Sequence, residues 1–227
     1  MNPSQIRRVR GARSARSLVM LLAGLVLASA AEPAAAAIAP QLKLDAEAQS
    51  QISRIEGELD TIRTLRAGFL QSSSNGQSAQ GQLYLSRPGK MRIEYQPPVP
   101  ILVVADGRFL IYYDRSLEQV SYVPIGSTPA SILLEKHVGL SGKDVLITDY
   151  QRVNGTVELS VVRADHPGEG SITLIFDEAT LALVQWRIED AQGITTLVTL
   201  IDPRANVQLP DALFVFKDPR PPERTSP

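Results

Sequence analysis

The sequence feature that most constrains the fold is a long series of short β-patterned runs that follows Ala67. Within most of these runs apolar and polar side chains alternate, as they do in a strand with one buried face. Short turns separate the runs, and Asn154-Gly155 is a dipeptide that two-residue hairpins prefer. Such short connections join antiparallel neighbours, so we predict a meander of about eleven strands. The predicted strands are residues 68–73, 81–86, 91–96, 101–105, 109–114, 119–124, 145–151, 156–163, 171–177, 183–189 and 194–201.

Two helical segments accompany the strands. The first covers about residues 45–66, where apolar side chains recur every three or four positions. The second follows Thr128, a suitable N-cap, with Pro129 at the first helical position and Gly139 as the stop. The apolar positions are Ile52, Ile55, Leu59 and Ile62 in the first helix, and Ile132, Leu133 and Leu134 in the second.

A sheet of about eleven strands curls strongly and encloses more volume than strand side chains usually fill. If the two helices fill this volume, the interior is an ordinary core. If they only cover it, an apolar cavity remains. The alternation of side chains leaves both possibilities open.

The N-terminus has the layout of a secretory signal peptide. Five arginines precede the apolar run 18–27, which is too short to span a membrane, and Ala28-Ser29-Ala30 provides a cleavage site. We predict a signal peptide over residues 1–30, and Ala34 to Ala37 offers a second candidate for cleavage as late as residue 37. The rest of the predicted organisation is a flexible leader over 31–44, a single domain over 45–218 and a flexible tail over 219–227.

Cleavage would leave an acidic protein. The chain has 23 Lys and Arg against 24 Asp and Glu, and loss of the leader arginines changes its net charge to −6, or −5 if Glu32 is also removed. No basic stripe remains, so nucleic acid is not an expected partner. The chain contains no cysteine. This excludes a disulfide framework, a thiolate metal site, a cysteine nucleophile and a lipid-modified N-terminal cysteine.

The sequence contains none of the common catalytic motifs, such as G-x-S-x-G, a P-loop, H-E-x-x-H or G-x-G-x-x-G. Its two histidines, His137 and His166, are isolated from each other and fit a helix end and a turn better than a catalytic dyad. We therefore expect no enzymatic activity, no cofactor and no metal site.

Arg87 lies where a predicted strand ends, just before the turn Pro88-Gly89. Most arginines in such places are solvated surface residues. A guanidinium nevertheless carries five donors and can bond the unpaired carbonyls at a helix end, which would hold a helix across the mouth of the sheet. Sequence periodicity does not decide between these two interpretations.

Several motifs together resemble the LolA family, the periplasmic carriers of outer-membrane lipoproteins. They span most of the stretch between residues 69 and 134, and their order and spacing match those of the family. The motifs are Phe69-Leu70-Gln71, Gly81-Gln82-Leu83-Tyr84-Leu85, Arg87-Pro88-Gly89-Lys90-Met91-Arg92, Ile101-Leu102-Val103-Val104-Ala105-Asp106-Gly107, Tyr113-Asp114, Leu117-Glu118-Gln119-Val120, Pro129 and Leu133-Leu134.

The resemblance implies a mainly β fold: an unclosed, strongly curved antiparallel β-barrel with an α-helical lid and an apolar cavity for acyl chains. In that family the arginine of the Arg-Pro motif, here Arg87, bonds to the lid and keeps the empty carrier closed. The residues expected to line the cavity are Phe69, Leu83, Leu85, Met91, Ile93, Phe109, Ile111, Val184, Trp186 and Ile188. The expected lid residues are Ile52, Ile55, Leu59, Ile62, Ile132 and Leu133.

The resemblance also implies partners and a compartment. Acylated lipoproteins would be the cargo, an inner-membrane ABC transporter complex of the LolCDE type the donor, and an outer-membrane lipoprotein receptor of the LolB type, or an equivalent, the acceptor. The expected protein is a monomer in the periplasm of a Gram-negative bacterium. Three alternatives remain: a carrier or sensor of another lipid or glycolipid on the same fold, an exported hydrolase, and an envelope scaffold.

Overall fold

The computed structural model describes residues 42–220. The predicted signal peptide, the leader as far as residue 41 and residues 221–227 of the predicted tail lie outside the described residues. The last part of the predicted leader is described, and it contacts the domain: the Leu42 N–H donates to the Ile147 carbonyl at 3.0 Å.

All eleven predicted strands are present, together with one α-helix and three short 3₁₀ helices in the described part of the chain. The α-helix is α1 (Ala46–Thr61), and the 3₁₀ helices are Ile125–Ser127, Pro129–Leu134 and Asp211–Phe214. The strands are β1 (Thr64–Ser73), β2 (Ser78–Ser86), β3 (Lys90–Tyr95), β4 (Ile101–Asp106), β5 (Phe109–Asp114), β6 (Gln119–Pro124), β7 (Val145–Val153), β8 (Thr156–Arg163), β9 (Gly170–Asp177), β10 (Leu183–Asp190) and β11 (Thr195–Ala205).

The strands form one antiparallel sheet, in the order β6-β5-β4-β3-β2-β1-β11-β10-β9-β8-β7. The fold class is therefore confirmed as an unclosed, curled, mainly β half-barrel. The prediction of a single meander is wrong, because the first strand pairs with the last. Two meanders, β1 to β6 and β7 to β11, meet at the β1–β11 ladder, and the connection between β6 and β7 links the two edges of the sheet.

The first helix is shorter than predicted. The Asp45 carboxylate accepts a hydrogen bond from the Ala48 N–H at 2.8 Å and caps its N-terminus. The helix ends at Thr61 rather than near residue 66. Residues 64–66 instead begin β1, where they pair with β2 and β11. Ladder bonds on both sides outweigh the few helical bonds that those residues could have made.

The second predicted helix is replaced by 3₁₀ turns. Pro129 does lie at the start of Pro129–Leu134, but the Thr128 side chain makes no capping bond. The helical segment ends at Leu134, so Gly139 does not terminate it. Residues 135–144 are irregular, and their backbone groups bond to side chains of α1 instead of continuing a helix.

The concave face of the sheet is buried against α1 and Pro129–Leu134, whose apolar side chains belong to one cluster with the inward residues of the strands. The convex face of β4 and β5 is also covered. The Arg92 guanidinium donates to the Leu213 carbonyl at 3.1 Å, and the ring of Tyr113 lies 5.7 Å from that of Phe216. The C-terminal segment therefore covers this part of the outer face, which explains why β4 and β5 are apolar on both sides.

We expect Gly81→Ala to destabilise the protein by about 3 kcal/mol, at the upper end of the range for overpacking. A Cβ atom at Gly81 would lie 2.0 Å from the Glu94 carbonyl oxygen and 2.8 Å from the Phe69 ring. Urea unfolding would measure the loss. Gly57→Ala, in the middle of α1 with no atom within 4 Å of the added carbon, is the control. It should stabilise the protein by about 1 kcal/mol through helix propensity, and equal effects of the two changes would contradict the prediction.

Candidate functional site

An apolar cavity of about 220 Å³ lies between the concave face of the sheet, the C-terminal end of α1 and Pro129–Leu134. Apart from Trp186, whose largely apolar ring carries an indole N–H, the lining residues with polar side chains are Gln71, Arg87, Tyr95 and Thr196. The apolar lining residues are Leu59, Ile62, Leu65, Phe69, Leu83, Leu85, Met91, Ile93, Leu133, Ala182, Leu183, Trp186, Ile188, Val198, Leu200, Pro203 and Ala205. The helices therefore cover the interior without filling it.

Most residues expected to line a cavity do lie in its wall. These are Phe69, Leu83, Leu85, Met91, Ile93, Trp186 and Ile188. Of the expected lid residues, Leu59, Ile62 and Leu133 face the cavity, whereas Ile52, Ile55 and Ile132 are buried in the core.

Three expected lining residues lie elsewhere. Phe109 and Ile111 are outside the cavity wall, and the buried inward side chains of β5 are Leu110 and Tyr112. Because both faces of β5 are apolar, alternation could not tell the inward face from the outward one. Val184 lies outside the cavity wall because the pairing of β9 with β10 is irregular there. Leu183 pairs with Phe176 and Gln185 pairs with the next residue of β9, Ile175, so β10 has one extra residue at this point. This extra residue changes the alternation and turns Leu183 inward.

Sequence reasoning also missed several wall residues. Val198 and Leu200 lie at inward positions of β11, and Leu65 lies in the stretch that was assigned to the first helix. Alternation within β11 could have identified Val198 and Leu200. No sequence signal marks Pro203 or Ala205 as wall residues. They follow the irregularity in the β1–β11 pairing, beyond which simple alternation no longer predicts the inward face.

Arg87 connects the sheet to both covering helices. It follows β2, and its Nε donates to the Leu133 carbonyl at 2.8 Å. Its Nη1 donates to the Ile62 carbonyl at 3.1 Å and also to the Leu59 carbonyl. The acceptors are carbonyls at the ends of α1 and Pro129–Leu134, where few helical partners remain. Of the three, the Leu59 carbonyl also accepts the Ile62 N–H at 3.2 Å. One side chain thus satisfies two helix ends at the edge of the cavity.

The Arg87 guanidinium is partly desolvated. Burial lowers the pKa of Arg87 from its ordinary value, while the negative charge of Asp60 opposes this effect and the positive charge of Arg63 adds to it. Arginine nevertheless stays protonated in proteins, so the group remains a charged donor. A charged donor held among apolar residues makes its bonds to carbonyls stronger than bonds between neutral groups.

Backbone contacts strengthen the same junction. The Arg87 N–H donates to the Arg63 carbonyl at 2.9 Å, and the Gly89 N–H donates to the Leu134 carbonyl at 2.8 Å. We call α1 and Pro129–Leu134 together the lid. The main chain of the β2–β3 turn therefore bonds to the segment that follows α1 and to the end of Pro129–Leu134, in addition to the bonds of the Arg87 side chain.

Two carboxylates of α1 bind the segment that follows Pro129–Leu134. The Asp60 carboxylate accepts the Val138 N–H at 2.9 Å and lies 3.1 Å from the His137 ring. The Glu56 carboxylate accepts the Leu140 N–H at 2.7 Å and two donors of Ser141. These bonds make the two parts of the lid one connected unit.

Acidification should loosen this unit at Asp60. Burial acts to raise the pKa of Asp60, but the Val138 N–H, the His137 ring and the charge of Arg87 together lower it below its ordinary 3.8. A lowered folded-state pKa means that the contribution of Asp60 is complete above 3.8 and is lost as the pH falls through the lower value. The Val138 amide chemical shift should therefore titrate below pH 3.8.

The Asp60→Asn protein tests this assignment, because its side chain cannot titrate. The Val138 shift should then stay constant with pH, while the Leu140 amide, which is bonded to Glu56, should behave as in the wild type. An unchanged Val138 titration in Asp60→Asn would contradict the prediction.

The two histidines contact different residues. His137 lies near Asp60, and His166 lies near Asp165 and Glu169. Within residues 42–220, no group of three or more His, Asp or Glu side chains is placed to hold a metal ion. In the same range, no helix is both long and apolar enough to cross a membrane.

A model of the family described as outer membrane lipoprotein carrier protein LolA matches residues 60–217, which is more than half of the chain. The chain belongs to the LolA family. A LolA relative from Chromobacterium violaceum, named outer-membrane lipoprotein carrier protein, is 29% identical over 197 residues, or 82% of this chain and 92% of that protein. A protein of the same name from Methylococcus capsulatus is 32% identical over 176 residues, or 74% of this chain and 83% of its own.

Solved structures to which the chain is similar are more distant in sequence than these relatives. A DUF1329 family protein from Desulfovibrio piger aligns with a TM-score of 0.48 and 16% identity, over 74% of this chain and 96% of that one.

Proposed function

We propose that this LolA-family protein is a carrier of lipoproteins that holds their acyl chains in the cavity under the lid. The observation that carries the proposal is an apolar cavity closed by helices whose ends are bonded to one arginine. The curated relatives named outer-membrane lipoprotein carrier protein support the same role.

The energetics suit such a task. Removing an acyl chain from water gains about 0.8 kcal/mol per methylene, hence on the order of 10 kcal/mol for a long chain. Dispersion and hydrophobic contacts have no preferred direction, so an apolar wall accepts acyl chains of different lengths. Because this gain is large, a carrier also needs an unfavourable contribution to the binding free energy, so that the cargo can leave.

The bonds that close the lid provide this unfavourable contribution, because cargo must break them to bind. The closed cavity of about 220 Å³ is smaller than the roughly 300–1,000 Å³ of pockets that enclose drug-sized ligands. Long acyl chains therefore require the lid to move, and this movement breaks the bonds that Arg87 makes to it. The free energy of those bonds is subtracted from the binding free energy of the cargo and is recovered when the cargo leaves.

The same proposal includes the path of the cargo. The protein would act in the periplasm as a single carrier domain over residues 45–218 and as a monomer. It would receive lipoproteins from an inner-membrane ABC transporter complex and deliver them to an outer-membrane receptor. It would perform no chemical reaction, since transfer requires only binding and release.

Trp186 provides a direct test, because it is the single tryptophan of the chain and it lies in the cavity wall. Bromine quenches tryptophan fluorescence on contact. A triacylated lipopeptide with brominated chains should therefore quench Trp186, and the same peptide without acyl chains should not. If the brominated lipopeptide leaves the fluorescence unchanged, acyl chains do not enter this cavity and the proposal fails.

A further inference from the structure

One end of the cavity is polar. Thr196, near the start of β11, faces the cavity with 7% of its surface exposed. Its hydroxyl is a buried polar atom that has no hydrogen-bond partner among the described residues. An unpaired buried hydroxyl costs free energy, so such groups usually serve a purpose such as holding a ligand or a water molecule.

Gln71 and Tyr95 lie at the same end. Thr196 pairs with Ser73 and Val198 pairs with Gln71, so Gln71 is the diagonal neighbour of Thr196 on the inward face. Such diagonal neighbours are within reach of long side chains. The Tyr95 hydroxyl donates to the Gln71 side-chain oxygen at 2.8 Å, and both residues lie in the cavity wall with Thr196.

The missing side chain of Gly81 makes this contact possible. Gly81 is the direct neighbour of both Phe69 on β1 and Tyr95 on β3. The ring of Tyr95 extends over it, edge to face with Phe69 at 5.3 Å, and so reaches Gln71. The polar end is therefore built by the packing of three strands.

The groups at this end are arranged as hydrogen-bond donors. Burial raises the pKa of Tyr95 to about 12, although its bond to Gln71 acts in the opposite direction. Tyr95 is thus a protonated donor, and it uses the oxygen of the Gln71 amide as its acceptor. The Gln71 amide nitrogen and the Thr196 hydroxyl then offer N–H and O–H groups to the cavity.

The other end of the cavity differs. Arg87 is the polar residue there, and three of its hydrogen bonds already go to carbonyls of the lid. An acyl chain carries one strong acceptor, the carbonyl oxygen of its ester or amide. A hydrogen bond to this carbonyl oxygen contributes most to binding when its donor is buried and has no other partner.

We propose that Gln71 and Thr196 form a subsite for the ester carbonyl of an acylated glycerol, with the hydrocarbon running from there towards the Arg87 end. This inference rests on the proposed function, because it concerns the same cavity and the same class of ligand. It adds the direction in which the acyl chain lies in the cavity. It also adds a second ligand feature that the protein recognises, the carbonyl group, beside the hydrophobicity of the chain.

The test compares two ligands that differ in their carbonyls: dioctanoylglycerol, which has two ester carbonyls, and dioctylglycerol, its ether analogue. Each competes with a brominated acyl probe for the cavity, and Trp186 fluorescence reports the displacement. The measured quantity is the ratio of the two affinities in each variant, because the ether also leaves water more readily than the ester. Thr196→Val removes the hydroxyl and keeps the shape.

The matched control is Thr199→Val on the same strand. Thr199 lies on the outward face, where its hydroxyl accepts a bond from the Gln185 amide at 2.9 Å. We expect Thr196→Val to lower the ester-to-ether affinity ratio about tenfold, which corresponds to about 1.4 kcal/mol. The affinity for the ether should stay unchanged, and Thr199→Val should keep the wild-type ratio.

The possible failures are distinct. If both ligands bind and Thr196→Val keeps the wild-type ratio, the subsite is overturned and the carrier proposal stands. If Arg87→Leu lowers the ratio and Thr196→Val does not, the carbonyl lies at the lid end and the subsite is likewise overturned. If neither ligand displaces the probe from the wild type, acyl binding itself fails and the subsite fails with it.

Discussion

Arg87→Leu is expected to yield a protein that takes up lipoprotein and does not release it to a receptor. The substitution removes the bonds to the carbonyls of Leu59, Ile62 and Leu133 and leaves the apolar wall intact. A hydrogen bond to a charged group contributes about 1.5–3 kcal/mol. The three bonds share one guanidinium, and the cost of desolvating that charge offsets part of their sum. Closure of the lid should therefore weaken by about 3 kcal/mol. The open, cargo-binding form is then more populated, and apparent acyl affinity rises by up to roughly 100-fold.

A transfer assay measures both steps. Spheroplasts that produce radiolabelled lipoprotein are incubated with purified protein, and soluble cargo is counted before and after a receptor is added. The wild type should release cargo from the membrane and then pass it on. Arg87→Leu should accumulate cargo and retain it. Normal delivery by Arg87→Leu would show that its bonds to the lid do not govern release.

Arg92→Leu is the matched control. Arg92 also donates to a backbone carbonyl, that of Leu213, but it does so on the convex face, away from the cavity. Its loss removes an equal charge, the bond to Leu213 and the ion pair with Glu94, and it leaves the lid contacts of Arg87 in place. Retention of cargo by both variants would point to a general effect of arginine loss and would contradict a specific role for Arg87.

Ile188→Phe is expected to weaken acyl binding while leaving the stability of the empty protein nearly unchanged. Ile188 lines the cavity, so the larger ring extends into open space. If the ring occupies the space of about two methylene groups of the cargo, those groups are no longer buried. Binding then weakens by about 1.6 kcal/mol, or roughly 15-fold. Displacement of a brominated acyl probe, followed by Trp186 fluorescence, measures the affinity.

Ile172 provides the comparison, because it is the direct cross-strand neighbour of Ile188 on the same face. Ile172 is fully buried and is not part of the cavity wall. The same enlargement there meets packed atoms and should cost about 1–3 kcal/mol of unfolding free energy. A similar loss of stability in Ile188→Phe would mean that the space beside Ile188 is already filled, and the cavity would then be an ordinary core.

Local sequence patterns predicted the strands well, for a physical reason. Alternation depends only on residues two positions apart, and turns depend on the conformations that a few residue types accept. Asn154 and Gly155 have positive φ angles of 52° and 78°, as the hairpin between β7 and β8 requires. The errors arose where local rules were ambiguous: at β5, which is apolar on both faces, and at Val184, where an extra residue shifts the alternation.

Arg87 shows how much of the site was predictable. Its place at a strand end before a turn could be read from the sequence, and the family resemblance implied that it bonds to a lid. The identity of its acceptors could not be derived from local pattern, because they are backbone carbonyls, which every residue possesses. The polar end of the cavity was missed for a similar reason. Thr196 becomes notable only when its hydroxyl is seen to be buried without a partner.

The sequence by itself determined which residues form strands, where most of them turn, and that one long amphipathic helix must cover an apolar surface. Those properties follow from side-chain period and backbone preference over a few neighbouring residues. Tertiary structure alone decided that β1 pairs with β11, that the helices cover a cavity without filling it, and that three carbonyls converge on Arg87. Each of these outcomes depends on how distant segments pack, and no local pattern records that packing.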